Sequence, residues 1–148
     1  ALLPDLTDPE TPVTIVTNAV NIASELTVRQ CVRVVVTGGA ARARSYELTG
    51  PLSSLILPQI SIGTLFLGVE GVDDHGVYAS HESEAAVNAA LVRAAHRVVV
   101  VADHTKLGEA AFALICRTSE IDELITDEAA EPESVEALRA AGVKVHLV

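Results

Sequence analysis

The chain is poor in aromatic residues, in lysine and in cysteine, and each shortage narrows what it can be. Only 3% of its 148 residues are Phe, Trp or Tyr, so Val, Leu, Ile and Ala must fill any core, which suits a buried parallel sheet covered by helices. Its lysines are Lys106 and Lys144, and ten Lys and Arg face twenty Asp and Glu for a net charge of -10. A surface of that sign repels phosphodiester backbones, which makes these residues a poor nucleic-acid binder by themselves. Any anion the chain holds must sit in a local pocket, against the global field. Cys31 and Cys116 form no CxxC pair and lie in or beside apolar segments, so buried, unbridged thiols in a reducing compartment are expected. No apolar run approaches the roughly 20 residues that span a bilayer, and no charged-then-apolar leader opens the chain. A cytoplasmic protein is the expectation.

What is present is globular: 49% hydrophobic and 20% charged residues, enough for one domain over 1–148 with a real core. Six apolar, β-branched runs have strand length: Val13–Val16, Val32–Val36, Thr64–Leu67, Val98–Val101, Glu123–Ile125 and Lys144–Leu147. Between them the spacing predicts helices. Asn18–Leu26 sets Val20, Ile22, Ala23 and Leu26 on one side, and Gly50–Leu57 carries Pro51 in its first turn. Glu82–Ala95 repeats alanine (Ala86, Ala89, Ala90, Ala94), and a last helix opens at Pro132 and stops at Gly142. Ala111–Ile115 reads as a short edge strand or an irregular crossing, and Ala1–Pro12, with its three prolines, as a frayed helix end and loop. Alternating strands and helices predict an α/β fold with a mostly parallel sheet.

Ligands of such sheets bind beyond the carboxyl ends of the strands. The exits here are Thr17-Asn18, then Thr37-Gly38-Gly39 with Arg42 and Arg44, then Gly68 to Asp73, then Ala102 to Gly108, and finally Thr126-Asp127. Gly and Asp at these points also serve simple turns. Lys106 is harder to explain that way: a lone ammonium among carboxylates is either the counter-ion of an anionic ligand or a partner for Asp103. Gly38-Gly39 can turn backbone N–H groups toward an oxyanion, or merely make a strand exit. Arg42 and Arg44 reach the same anion or simply stay solvated. Glu70, followed by Gly71, is suited to accepting from neighbouring sugar hydroxyls. Glu84 has the same capacity, set against plain complementation of its helix dipole. Thr17 and Asn18 complete the candidate ligand-binding set.

His75, His81, His96, His104 and His146 form no HxH or HExxH pair and have no cysteine at zinc-ligand spacing, so no metal is expected. A GxSxG elbow, a Walker loop and a dinucleotide fingerprint are also missing, so no cofactor is expected.

Eight segments, in order, resemble the C-terminal effector domain of the DeoR family of transcriptional regulators. They are IVTNAVNIASEL (Ile15–Leu26), VVVTGG (Val34–Gly39), ELTGP (Glu47–Pro51), LFLGVEGVD (Leu65–Asp73), SEAAV (Ser83–Val87), VVVVADHTKLG (Val98–Gly108), IDELITDE (Ile121–Glu128) and LRAAGVKVHLV (Leu138–Val148). The resemblance implies a three-layer, Rossmann-like sheet with helices on both faces, similar to the ribose-5-phosphate isomerase and CoA-transferase-like fold. It also implies that Glu70, Glu84 and Lys106 surround a sugar phosphate, the three residues already singled out on physical grounds. Glu70 stands where the family usually has Asp, Thr105 where Ser is common, and Asn88 where Lys or Arg is frequent. Neither a basic helix-turn-helix nor the family's strand with its Gly-Thr-Thr phosphate turn is in the sequence, so the chain is expected to be a fragment that reaches DNA through a missing N-terminal domain.

The function expected is therefore inducer sensing by a repressor of sugar metabolism, with a phosphorylated sugar as effector and a homo-oligomer as the working form. Two alternatives stand beside it: a sugar-phosphate isomerase using Glu84 as base with Lys106, and a non-binding oligomerisation module. The Ala111–Ile115 edge and the final strand are the candidate subunit contacts.

Overall fold

A computed structural model describes residues 12–42 and 45–148; the expectations for residues 1–11 and for Arg44 lie outside the described residues. Compactness divides the chain into two units, Ala1–Gln59 and Ile60–Val148, and each holds a parallel sheet.

In the first unit β1 (Val13–Thr17), α1 (Val20–Thr27) and β2 (Val32–Val36) form a crossover, with the strands parallel from Val13 opposite Val32 to Thr17 opposite Val36. α1 buries Ala23 and Leu26 but leaves Val20 and Ile22 exposed. Its buried stripe is narrower than the spacing predicts. β3 (Ala40–Ala41) and β4 (Leu48–Thr49) then pair antiparallel. The helix expected over Gly50–Leu57 shrinks to one turn, α2 (Pro51–Ser54), followed by a 3-10 turn at Leu57–Gln59. Pro58 is the reason: it has no N–H to bond back into an α-helix and disfavours helical backbone at Leu57.

The second unit runs β5 (Ile62–Gly68), β6 (Gly71–Val72), β7 (Gly76–Ala79), α3 (Glu82–Ala94), β8 (Ala95–Val101), β9 (Ala113–Arg117), β10 (Glu123–Thr126), α4 (Pro132–Ala140) and β11 (Lys144–Leu147). Four of these strands make a parallel sheet in the order β11-β10-β8-β5. A second sheet, antiparallel in the order β6-β7-β9, was not expected. Gly68–Asp73 read as a loop, but Gly71 and Val72 turn back on β7, and the ambiguous Ala111–Ile115 resolves into the edge strand β9. Strands of two and four residues leave no alternation long enough to detect. Their turn is built by Asp73, whose Oδ1 accepts from the backbone N–H groups of His75 and Gly76, each at 2.8 Å.

Successive strands of the parallel sheet step the same way, from β5 to β8 to β10 to β11, so right-handed connections all fall on one face. Burial agrees. Leu65, Leu67, Val98, Val100, Leu124 and Val145 share a face by register and are all buried. Of the residues that point the other way, Phe66 and Val101 are 52% and 45% exposed, whereas Val99 is buried. α3 packs between the two sheets, against β5 and β9. It buries Ala85, Val87, Asn88, Leu91 and Val92 and leaves Ala86 exposed. The larger apolar side chains remove more surface from water and so choose the face over the alanine repeat. α4 matches its expected signals, with Pro132 in the first turn and Gly142 at φ 98° just beyond its end. No helix among the described residues is long and apolar enough to cross a membrane.

Neither cysteine forms a disulfide; Cys116 is buried as expected, whereas Cys31 is only half-buried. Burial, and secondarily the charge of Glu120, push the Cys116 thiol up to about 12. The thiolate is the attacking species, so at pH 8 the native protein is expected to exclude iodoacetamide from Cys116 and to admit it after denaturation. Mass spectrometry reads this directly, and a rapid native adduct at Cys116 would contradict the packing around it.

Candidate functional site

Parallel strands deliver their carboxyl ends to one rim. In the second unit the exits of the adjacent strands β5, β8 and β10 place Glu70, the segment from Asp103 to Lys106, and Asp127 there. The segment after β8 is held at several points. The Asp103 carboxylate accepts from the Thr105 N–H at 2.9 Å and from the Thr105 hydroxyl, starting a 3-10 turn over His104–Lys106. These bonds, the hydroxyl first, keep the Asp103 carboxyl below its ordinary range. One residue on, Leu107 is buried beside Val72, and the Gly108 N–H donates to the Val72 carbonyl at 2.8 Å. The backbone of Lys106 is thereby fixed from both sides.

The Lys106 ammonium lies 2.8 Å from Glu70 Oε2, with the two side chains 30% and 47% exposed. Its partner is therefore Glu70, thirty-six positions away in sequence, and not Asp103, which acts on it only through charge. The Glu70 hydrogen bond, then the Glu70 charge, hold the Lys106 ammonium above its ordinary value. An ion pair this exposed is worth about 0–1 kcal/mol. A bound anion can displace or share it.

The other candidate residues fall as follows. Gly71 is buried, and a Cβ there would overlap the Glu109 carbonyl oxygen; close packing demands glycine. Glu84 is half-buried in the first turn of α3 beside Glu82, where the helix dipole favours a carboxylate. Thr17, Asn18, Gly38 and Gly39 gather at the exits of β1 and β2 in the first unit. The Thr17 hydroxyl accepts from the Ala19 N–H at 3.0 Å and its carbonyl accepts from the Thr37 N–H at 3.1 Å. The Asn18 carbonyl accepts from Leu48 at 2.7 Å. Ser53 donates to the Gly38 carbonyl at 2.6 Å, and a Cβ on Gly39, at φ 121°, would overlap Ser53 Oγ and come within 2.6 Å of the Thr49 carbonyl. Packing therefore accounts for Gly39. Arg42 belongs to the turn before β4, bonded through its backbone to Tyr46 and Glu47.

One pairing escaped the sequence. Asp127 accepts from the His104 backbone N–H at 2.8 Å through Oδ2, and its Oδ1 lies 2.9 Å from His104 Nδ1. The backbone bond to His104 is the leading cause that keeps the Asp127 carboxyl low. Both are polar residues just beyond strand ends, but twenty-three positions separate them. Only the register of β8 and β10 brings them together.

A cavity of about 270 Å³ is lined by Asp73, Asp74, Gly108, Glu133, Ser134 and Ala137. Its three carboxylates oppose a phosphate, and Lys106 is not in its wall, so it is not the anion pocket the sequence suggested. Asp73, Asp74 and His75 bring possible metal-ligating atoms within 4.8 Å of one another, a grouping the histidine spacing did not reveal. The Asp73 carboxylate already serves its own turn and the Tyr78 hydroxyl.

Comparison with known proteins gives the family of the chain. Residues 1–128 match the family model described as the DeoR C terminal sensor domain. The chain is 36% identical over 131 residues to the HTH-type transcriptional regulator GlpR of Haloferax volcanii, covering 88% of this chain and 51% of that protein. It is 31% identical over 134 residues to the HTH-type transcriptional repressor GlcR of Bacillus subtilis, covering 89% and 51%. The glycerol-3-phosphate regulon repressor of Escherichia coli is 30% identical over 122 residues, covering 82% and 48%. The chain thus spans about half the length of the curated relatives it matches. Matched along most of its length, and carrying the strand-end residues on an α/β scaffold, the chain belongs to the DeoR C-terminal sensor domain family.

Proposed function

We propose that this chain is the effector-sensing part of a transcriptional regulator of sugar metabolism, and that its effector is a small phosphorylated sugar held at the rim of Glu70 and Lys106. The observation that carries the reading is the Lys106 ammonium, carried on a turn held from both sides and paired, among the described residues, with a part-exposed carboxylate, in a chain whose net charge is -10. Such a cation is a local exception to the surrounding field, and a phosphate competes well for it. The relative named for a glycerol-3-phosphate regulon supports an effector of this chemistry. In this reading Lys106 meets the phosphate, Glu70 and Glu84 accept from hydroxyls, and Gly71 lets the chain pass closely behind Glu70. Thr17, Asn18, Gly38 and Gly39, at the strand exits of the first unit, are proposed as ligand contacts of that unit taken by itself. The fold binds its ligand without converting it. DNA is contacted through a helix-turn-helix domain of the longer protein, which works as a homo-oligomer.

Thermal unfolding of the full-length regulator with glycerol 3-phosphate, hexose 6-phosphates and ribose 5-phosphate tests this. At a hundred times the dissociation constant, the matching compound adds about 2.7 kcal/mol to stability and is recovered unchanged. No shift across the panel, or steady turnover of the compound, would sink the sensing role.

A further inference from the structure

We infer that His104, steered by Asp127, reads a hydroxyl group of the effector beside the anion held by Lys106, an assignment that rests on the sensing role proposed above. His104 and Lys106 leave the same 3-10 turn two residues apart. Asp127 engages His104 twice. One oxygen takes the backbone N–H at 2.8 Å and the other lies 2.9 Å from ring Nδ1.

The ring contact decides the chemistry. An ionised carboxylate only accepts hydrogen bonds, so the proton sits on Nδ1, and in the neutral imidazole Nε2 is left as an acceptor. The His104 side chain is 45% exposed, and among the described residues the contact made by its ring is the one through Nδ1 to Asp127. With the ring neutral, Nε2 is an acceptor held at the same strand exit as the Lys106 ammonium. A neutral acceptor is of no use to a fully ionised oxyanion, but it suits an O–H donor. The two residues together match a molecule with an anionic end and a hydroxyl-bearing carbon close to it. A clamp on the loop alone would need only the backbone bond; the second oxygen orients the ring, as a carboxylate does for other functional histidines.

Calorimetric titration of the full-length regulator at pH 8 separates this role from simple scaffolding. The probes are glycerol 3-phosphate, glucose 6-phosphate and inorganic sulfate, an oxyanion that carries no proton at this pH. His104→Ala is expected to weaken binding of whichever organic phosphate the wild type takes by about fivefold, the size of one neutral hydrogen bond. Its affinity for sulfate should stay within about twofold, while Lys106→Ala weakens both. His104→Gln, whose amide oxygen also accepts, is expected to restore part of the loss. Asp127→Asn keeps an acceptor for the backbone N–H but loosens the ring, so it should fall between wild type and His104→Ala in the ratio of organic to inorganic affinity. An unchanged ratio in both His104 variants overturns the assignment of His104 and leaves the sensing role standing. A wild type that binds none of these probes overturns the sensing role, and this assignment with it.

Discussion

Replacing Lys106 with alanine is expected to leave a folded regulator that holds its operator but no longer releases it to the effector. The loss in effector affinity should be about 1.5–3 kcal/mol, the range for a hydrogen bond to a charged group, or roughly tenfold to more than a hundredfold. Stability should hardly change, because Lys106 and Glu70 form a part-exposed pair of the kind worth about 0–1 kcal/mol. Glu70→Gln supplies the internal comparison. It leaves the ammonium in place and removes the carboxylate that occupies it, so affinity for inorganic phosphate should hold or rise. Calorimetry gives the affinities, and a gel-shift titration with effector reads operator release. If Lys106→Ala responded to effector as the wild type does, the rim around Lys106 would not be the sensing site. The strand-end residues would then be turn formers, as an oligomerisation module requires.

Leu124→Ala is expected to be the most damaging single truncation in the second unit, costing about 2–5 kcal/mol. Leu124 is 0% exposed on β10, between β8 and β11, and its register partners Val100 and Val145 are buried on the same face. Val side chains are stiff about χ1 and cannot swing into the space left behind, so the cavity persists. Against a total stability of about 5–15 kcal/mol, such a loss approaches unfolding at working temperatures. Leu114→Ala on the edge strand β9, where Leu114 is 55% exposed, is the matched control and should stay within about 0.5 kcal/mol. Urea midpoints at constant slope measure both. A Leu124 cost below that of Leu114 would mean the buried face of the sheet has been misassigned.

Both expectations draw on features that were legible in the sequence to different degrees. The β-branched runs at Val13–Val16, Val32–Val36 and Val98–Val101 were plain, because parallel strands under helices carry continuous apolar residues, and the structure places strands there. The hairpin of β6 and β7 was not, since strands this short depend on partners and on the Asp73 turn rather than on any period of their own. The face of α3 was misjudged toward Ala86, because spacing alone weighs an alanine equally with the Val87 and Leu91 that are buried. Lys106 stood out as a charge in the wrong company, yet its partner did not: Asp103 was the expected one, and Glu70 takes its place because β5 and β8 lie side by side in register.

Taken alone, the order of residues determined the α/β class, the positions of the main strands, and which polar residues would cluster at strand exits, since each of these follows from local composition and period. Which of those polar groups meet was decided by the tertiary structure. Lys106 finds Glu70 and His104 finds Asp127 only because parallel pairing brings distant strand ends to one edge, and sequence separation carries no record of strand order.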